Sequence, residues 1–340
     1  MDQFRKFIAW ICAMLFVISG ITTLLFFNIE RTAFTSLTYK QAFENQKLYE
    51  RMPEILATAL FTSTAENINA DPYLKALSVE DWKATVTSLL PPEESKALAD
   101  SALDAVFDYI NGRTDSAVIS LSLFKSHLTG NSGVEAIRKI LQAQPACTAE
   151  QLLQIGLGFV KSGDVALCNP PEELMGLMTP LFESQLQVMT IAIPDQVTLI
   201  PATRSGTPAD PRIKLNWART VMKIMPVFPL LLLFCVTIFA VRSLADWLNW
   251  WGYPFLITGG STALIALVGA PLLGYSIQLV LQSQGFGLLP PIFFSAIGET
   301  IGAVTGEILR PVLIEGSILA IIGLGMVLAT LFASKKENRL

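Results

Sequence analysis

Four apolar stretches constrain this 340-residue chain more than any other feature of it. Residues 7–27 form the first, and residues 225–241, 255–280 and 312–333 form the others. A bilayer core calls for about 20 consecutive apolar residues in a helix. Each stretch is long enough to cross one, the second being the shortest and carrying Pro226 and Pro229. The expected fold class is a mainly α membrane protein with four transmembrane helices. The boundaries follow: residues 1–28 hold a short N-terminus and the first helix, residues 29–224 a large insert, and residues 225–340 the other three helices and a tail.

Hydrophobic residues make up 52% of the chain and charged residues 15%, a balance that would leave a soluble domain of this length short of polar surface. The net charge of −4 argues against nucleic acid as a partner, because phosphate binding needs a concentrated basic face. Cysteine and histidine spacing suggests no metal site, and the single histidine, His127, reads as a surface or capping residue.

Arg5 and Lys6 precede the first apolar run, as they would in a signal peptide. The run is longer than the usual h-region and ends in Leu24-Leu25-Phe26-Phe27 without a small-x-small site, so it reads as an uncleaved signal anchor. Positive residues favour the cytoplasmic side. Both termini are therefore expected in the cytoplasm, with Lys335, Lys336 and Arg339 in the tail, and residues 29–224 outside a plasma membrane. The cluster Arg212, Lys214, Arg219 and Lys223 runs against this, but the rule is weak for long translocated domains. Cys147 and Cys168 fall in the insert, where an oxidising compartment predicts a disulfide; the other reading is two separate buried thiols. Cys12 and Cys235 fall in apolar stretches and read as packing residues.

The insert repeats itself. Pro91-Pro92-Glu93-Glu94 recurs as Pro170-Pro171-Glu172-Glu173, and the same offset carries Val118-Ile119-Ser120-Leu121 onto Val197-Thr198-Leu199-Ile200. Between these anchors, Leu98, Ala102, Leu103, Phe107 and Ile110 map onto Leu177, Leu181, Phe182, Leu186 and Met189, which keeps one apolar helical face in both copies. Proline followed by two glutamates suits a helix start, with Asn169 as the cap of the second copy and Asn111-Gly112 ending the first. Each copy closes in a short strand, the first with Ile119, Leu121 and Leu123 on one side, and the two strands are expected to pair with each other. Ser78 with Asp81, and Thr148 with Gln151, open the preceding helices. The expectation is a mostly helical domain of two related halves, 78–123 and 148–200, around a two-stranded ribbon; coincidental helix starts are the alternative.

Residues 37–62, with Leu48, Met52, Ile55, Leu56 and Leu60 on one face, predict a long helix continuing from the first span as a stalk. Ahead of the second span, Ile213, Trp217, Val221 and Ile224 make an apolar stripe beside Arg212, Arg219 and Lys223, either a solvated basic face or a contact for anionic headgroups or an acidic partner. Trp247, Trp250, Trp251 and Tyr253 suggest an interfacial anchor between the second and third spans. Gly298, Gly302 and Gly306 form a small-residue ridge that lets another helix approach closely, within the bundle or in another subunit. Glu299, Glu307 and Arg310 on the same segment predict an amphipathic stretch over 290–310, lying at the outer surface or tucked against the bundle, rather than a full crossing.

No span has a charged residue near its centre, which disfavours an ion-coupled transporter. No phosphate loop, nucleophile elbow or His-Glu-x-x-His occurs, and no cofactor is expected. The order of one span, a large insert and three spans resembles permease subunits of the MacB and FtsX type of ABC transporter, and the Pro-Pro-Glu-containing insert is similar to that of uncharacterised bacterial multi-pass membrane proteins with a helical outer domain. The first resemblance implies a mechanical transmitter for a separate ATPase docking on residues 243–253; the second implies no activity. The residues themselves point to a non-enzymatic membrane protein whose outer domain binds another protein or copies of itself, with membrane lipids around the spans. A lipid or other apolar ligand held between the two halves is a third possibility.

Overall fold

Long runs without charge and with few breakers become long helices. In the computed structural model, which describes residues 2–67, 70–156, 168–202, 210–283 and 291–337, the chain is mainly helical. The first helix, α1 (Asp2–Thr32), is followed by α2 (Ser36–Asn45), α3 (Leu48–Glu66), α4 (Pro72–Lys75), α5 (Val79–Leu89) and α6 (Pro92–Ile110). Strand β1 (Ala117–Ser120) leads into α7 (Ser122–Thr129) and α8 (Asn131–Gln142), then come α9 (Ala149–Gly156), α10 (Glu172–Ile191) and β2 (Gln196–Ile200). The chain ends in α11 (Pro211–Ile224), α12 (Val227–Ala240), α13 (Leu244–Ser283) and α14 (Pro291–Glu337). Among the described residues four helices, Gln3–Thr32, Pro211–Ala240, Leu244–Leu281 and Phe293–Thr330, are long and apolar enough to cross a membrane.

The four do not stop at the same length. At 1.5 Å per residue, α13 and α14, with 40 and 47 residues, reach about 60 and 70 Å, twice a hydrocarbon core of about 30 Å. They form an antiparallel hairpin. Its lower part packs on α1, where Phe16 meets Phe255 at 5.7 Å and Leu25 touches the cluster of Ala266, Leu309 and Val312. Its upper part passes α2 and α3, to which α14 is tied by Arg51 to Glu299 and Asn45 to Glu307, each at 2.8 Å. The 290–310 stretch is thus no separate surface segment. From residue 291 on it is the first half of α14, and its acidic residues face partners far away in sequence.

The interspan region is a helical layer with one small sheet. Ser78 and Asp81 form the expected capping box at α5, Thr148 and Gln151 exchange the same pair of bonds, and Gly112, at φ +72°, follows the end of α6. Strands β1 and β2 pair antiparallel, Val118 opposite Thr198 and Ser120 opposite Gln196. Trp82 and Leu77 pack with Ala57 in a helical core, and Tyr39 meets Phe107 with ring centroids 4.9 Å apart. The Tyr49 hydroxyl donates to Asp100 at 3.1 Å. Burial first, and then that carboxylate, push its pKa well above the ordinary tyrosine range.

Several expectations change. The stalk over 37–62 is broken: Thr38 donates to the carbonyl of Thr32, turning the chain after α1, and Lys47 adopts a left-handed φ of 50° between α2 and α3. The first strand spans 117–120 only. Ser120 and Ser122 bond each other and the chain turns into α7, taking Leu123 out of the ribbon, while the Leu121 N–H still donates to the Asp195 carbonyl at 2.8 Å. Asn169 does not cap α10; Pro171 holds that position, while the Asn169 backbone bonds Pro145 and Cys147. The second span is helical from Pro211, with a break at Met225 and Pro226. The 157–167 stretch between the cysteines, and Arg339 of the tail, lie outside the described residues.

Candidate functional site

Charge sets a level across the molecule. Residues 7–29, 224–241 and 316–334 contain no Asp, Glu, Lys or Arg. Where those runs end on one side, α1, α11 and α14 present ionic groups to one another. Glu30, only 7% exposed, accepts from Arg219 at 3.1 and 3.2 Å and lies 3.4 Å from the Lys223 ammonium. Arg219 also donates to Asn111 at 2.7 Å and lies over the Phe34 ring, so one guanidinium joins α1, α11 and the end of α6. Nearby, Asn28 donates to Glu315 at 2.7 Å, and Arg31 stands 3.9 Å from the same carboxylate.

Arg212 is turned inward as well. It is 4% exposed, bonds Asp210, Asp115 and the Thr114 carbonyl, and lies over Tyr109. Taking a guanidinium out of water is costly unless carboxylates meet it, and here they do. The sequence left two readings, a solvated basic face or a contact for headgroups or an acidic partner; Arg212 and Arg219 instead turn inward onto carboxylates of the same chain, while Lys223 stays exposed beside Glu30. Trp217, on the other face of α11, is 72% exposed, in line with Ile213 and Ile224.

At the opposite end of the spans, Trp247, Trp250 and Trp251 lie on the first turns of α13 rather than in a connecting loop. Trp251 donates to Thr237 at 3.1 Å and stands between Trp247 and Phe255 in a chain of rings. The Cys147 and Cys168 sulfurs are at bonding distance, with Cα atoms 4.8 Å apart, while Cys12 and Cys235 are not bridged. His127 pairs with Glu94 at 2.5 Å, fastening α7 to α6.

The glycine ridge faces α13 of the same chain. A Cβ on Gly298 would meet Gln278 at 3.0 Å, whereas Gly302 and Gly306 leave 3.7 and 3.9 Å, ordinary contact. Within the α13–α14 hairpin the tightest approaches are elsewhere. A Cβ on Gly259 would lie 2.3 Å from the Ala320 nitrogen, one on Gly323 2.3 Å from the Leu256 nitrogen, and one on Gly274 2.8 Å from the Gly298 carbonyl. The signal for the first two was present in the sequence: Gly252 and Gly259 are seven residues apart, as are Gly316 and Gly323, the repeat of a left-handed helix pair.

Protein-family models, curated proteins and solved structures were all compared with the chain. None matches. What the molecule offers a partner must be read from its own surface, and among the described residues no three His, Cys, Asp or Glu side chains converge.

One such surface is on α13. Because Gly259 packs against Gly316 and Ala320, the ionic level at Glu315 falls near residue 260 of α13. Yet α13 has no charged residue from 247 to its end at 283. Beyond that level Ile265, Val268, Leu272, Tyr275 and Leu279 are 41%, 42%, 57%, 61% and 46% exposed. Their spacing of three, four, three and four residues is that of a coiled-coil seam, and it lies on the side of α13 away from α14. Neither the third span nor the glycine ridge, read alone, pointed to it, because an apolar run of this length reads as membrane-facing throughout.

Proposed function

We propose that this chain is a non-enzymatic, multi-pass plasma-membrane protein that assembles with copies of itself through the outer half of α13. The observation that carries the reading is the seam of Ile265, Val268, Leu272, Tyr275 and Leu279, exposed beside a stretch of α14 that carries Glu299, Glu307 and Arg310. A hairpin twice the thickness of a bilayer core cannot bury both halves in lipid, and one apolar face in water would be a large exposed patch of the kind that marks an interaction site. A second α13 against the first covers it.

Both termini are assigned to the cytoplasm and residues 29–224 to the outside. Arg5 and Lys6 before α1, and Lys335 and Lys336 at the end of α14, support this by the positive-inside bias. The Cys147 and Cys168 pair fits an oxidising compartment. The basic cluster before the second span counts for little against it, since Glu30, Asp115 and Asp210 offset Arg219, Lys223 and Arg212. The order α5, α6, β1 followed by α9, α10, β2 supports two related halves, in which Phe107 and Leu186 hold equivalent buried positions. The halves are used differently: α10 leaves Leu177, Leu181 and Ile191 exposed, a further apolar surface for an outer partner.

The test is the mass of the protein in mild detergent by size exclusion with light scattering. The parent should elute as a defined oligomer, and Leu272→Glu with Leu279→Glu as a monomer that melts at the parent's temperature. A monomeric parent at tens of micromolar, or an unchanged mass in the variant, contradicts self-assembly. A stoichiometric ATPase in the preparation would favour the transmitter role, with the first turns of α13 within residues 243–253 as its dock.

A further inference from the structure

At the N-terminal end of α1, the first span does not close fully on α13. A groove of about 390 Å³ runs between them, lined by Trp10, Met14 and Val17 on one side and Trp250, Pro254 and Ile257 on the other. That is the size of an ordinary small-ligand site, roughly 300 to 1,000 Å³. Trp250 also borders a second cavity of about 310 Å³, whose lining is ionic: Arg5, Lys6, Arg242 and Asp246. The two are therefore consecutive, a charged mouth leading into an apolar slot.

Their depth has a meaning in a bilayer. Lys6, Trp10, Met14 and Val17 follow one another down α1 at about one helical turn per step, as do Asp246, Trp250, Pro254 and Ile257 down α13. From Lys6 to Val17 the rise is about 16 Å, one half of a hydrocarbon core of about 30 Å. Charge at the membrane surface, tryptophans one turn in and aliphatic side chains beneath them match the order of groups along a phospholipid: headgroup, interface and chain. Among the residues that line the mouth, Arg5, Lys6 and Arg242 outnumber the one carboxylate, Asp246. One guanidinium N–H of Arg5 donates to the Ile238 carbonyl of α12 at 3.3 Å, and a guanidinium has further donors for an anion.

We propose that this groove binds one anionic phospholipid, with its phosphate between Arg5, Lys6 and Arg242 and one acyl chain between α1 and α13. Basic pockets between membrane helices hold anionic headgroups in this way. The lipid would be a fixed component, distinct from the annulus around the other spans, and would wedge the mouth of the bundle where α1, α12 and α13 meet.

Native mass spectrometry of the full chain in detergent, with phosphatidylglycerol and phosphatidylcholine added in equal amounts, tests this. One phosphatidylglycerol should be retained in preference to phosphatidylcholine by about tenfold. Arg5→Gln with Arg242→Gln, which leaves Lys6 to hold the orientation, should bring the ratio close to one. Val17→Trp, which fills the slot and leaves every charge in place, should abolish retention of both lipids. Equal retention of the two lipids by the parent overturns the proposal. A preference that survives the double Arg variant overturns the headgroup assignment, and one that survives Val17→Trp overturns the groove.

Discussion

At the scale of single residues, the fold depends on how closely two backbones pass. Gly259 and Gly323 are positions where a single methyl group would collide with main-chain atoms of the facing helix, at 2.3 Å in each case, while Gly302 has room for one at 3.7 Å. Gly259→Ala should therefore cost about 3 kcal/mol, the upper end for forced overpacking. Gly302→Ala should lie within about 1 kcal/mol of the parent, because alanine's better helix propensity acts in its favour. Thermal melts of both variants in detergent compare them directly, and equal melting would mean that α13 and α14 are not in backbone contact. The sequence drew attention to Gly298, Gly302 and Gly306 because a four-residue repeat is conspicuous. It hid Gly259 and Gly323, whose importance comes from a facing helix rather than from their neighbours. Arg212 and Arg219 were misread for a related reason: a cluster of basic residues shows its charge in the sequence, but Glu30 and Asp115, which meet it, are remote from it in the chain.

Among elements, local chemistry was legible and long-range joining was not. The capping pairs, the Asn111-Gly112 stop and the two strands follow from residues adjacent in sequence. The break at Lys47 does not, since lysine carries no mark of a left-handed turn; it is set by the packing of α3 on α5 and α6. The joint between α2 and α6 is ionic and titratable. Asp104 accepts from Lys40 and Ser36, both at 2.7 Å, and these bonds hold its carboxyl below the usual carboxylate value. A depressed folded value stabilises the charged form. That contribution is complete above about pH 4 and is lost as the pH falls through the folded value. Asp104→Asn should accordingly melt below the parent at pH 7 and approach it as the pH falls through the depressed folded value; a gap that stays constant with pH contradicts the clasp. The Cys147 and Cys168 bridge joins residues 21 apart, and closing a loop of that size contributes about 3 kcal/mol. Cys147→Ser should lower the melting temperature by several degrees and expose the Cys168 thiol to titration, whereas unchanged melting with thiols already titratable in the parent excludes the bridge.

For the whole molecule, the number of spans was legible because about 20 apolar residues in a row have few other uses. How far the spans continue was not. Glu299, Glu307 and Arg310 predict an amphipathic segment between the last two spans, yet one helix, α14, runs through them, with Arg51 and Asn45 as partners above the ionic level. The same extension carries α13 past that level with its seam uncovered. Oxidative cross-linking in native membranes tests this directly. With Cys12 and Cys235 replaced by alanine, cysteine at Leu272 should give a dimer band under mild oxidation. Cysteine at Leu273, equally accessible at 49% exposure but about 100° further round the helix, should give little. A strong band at Leu273 with none at Leu272, or no band at either while the protein remains folded, contradicts assembly through α13.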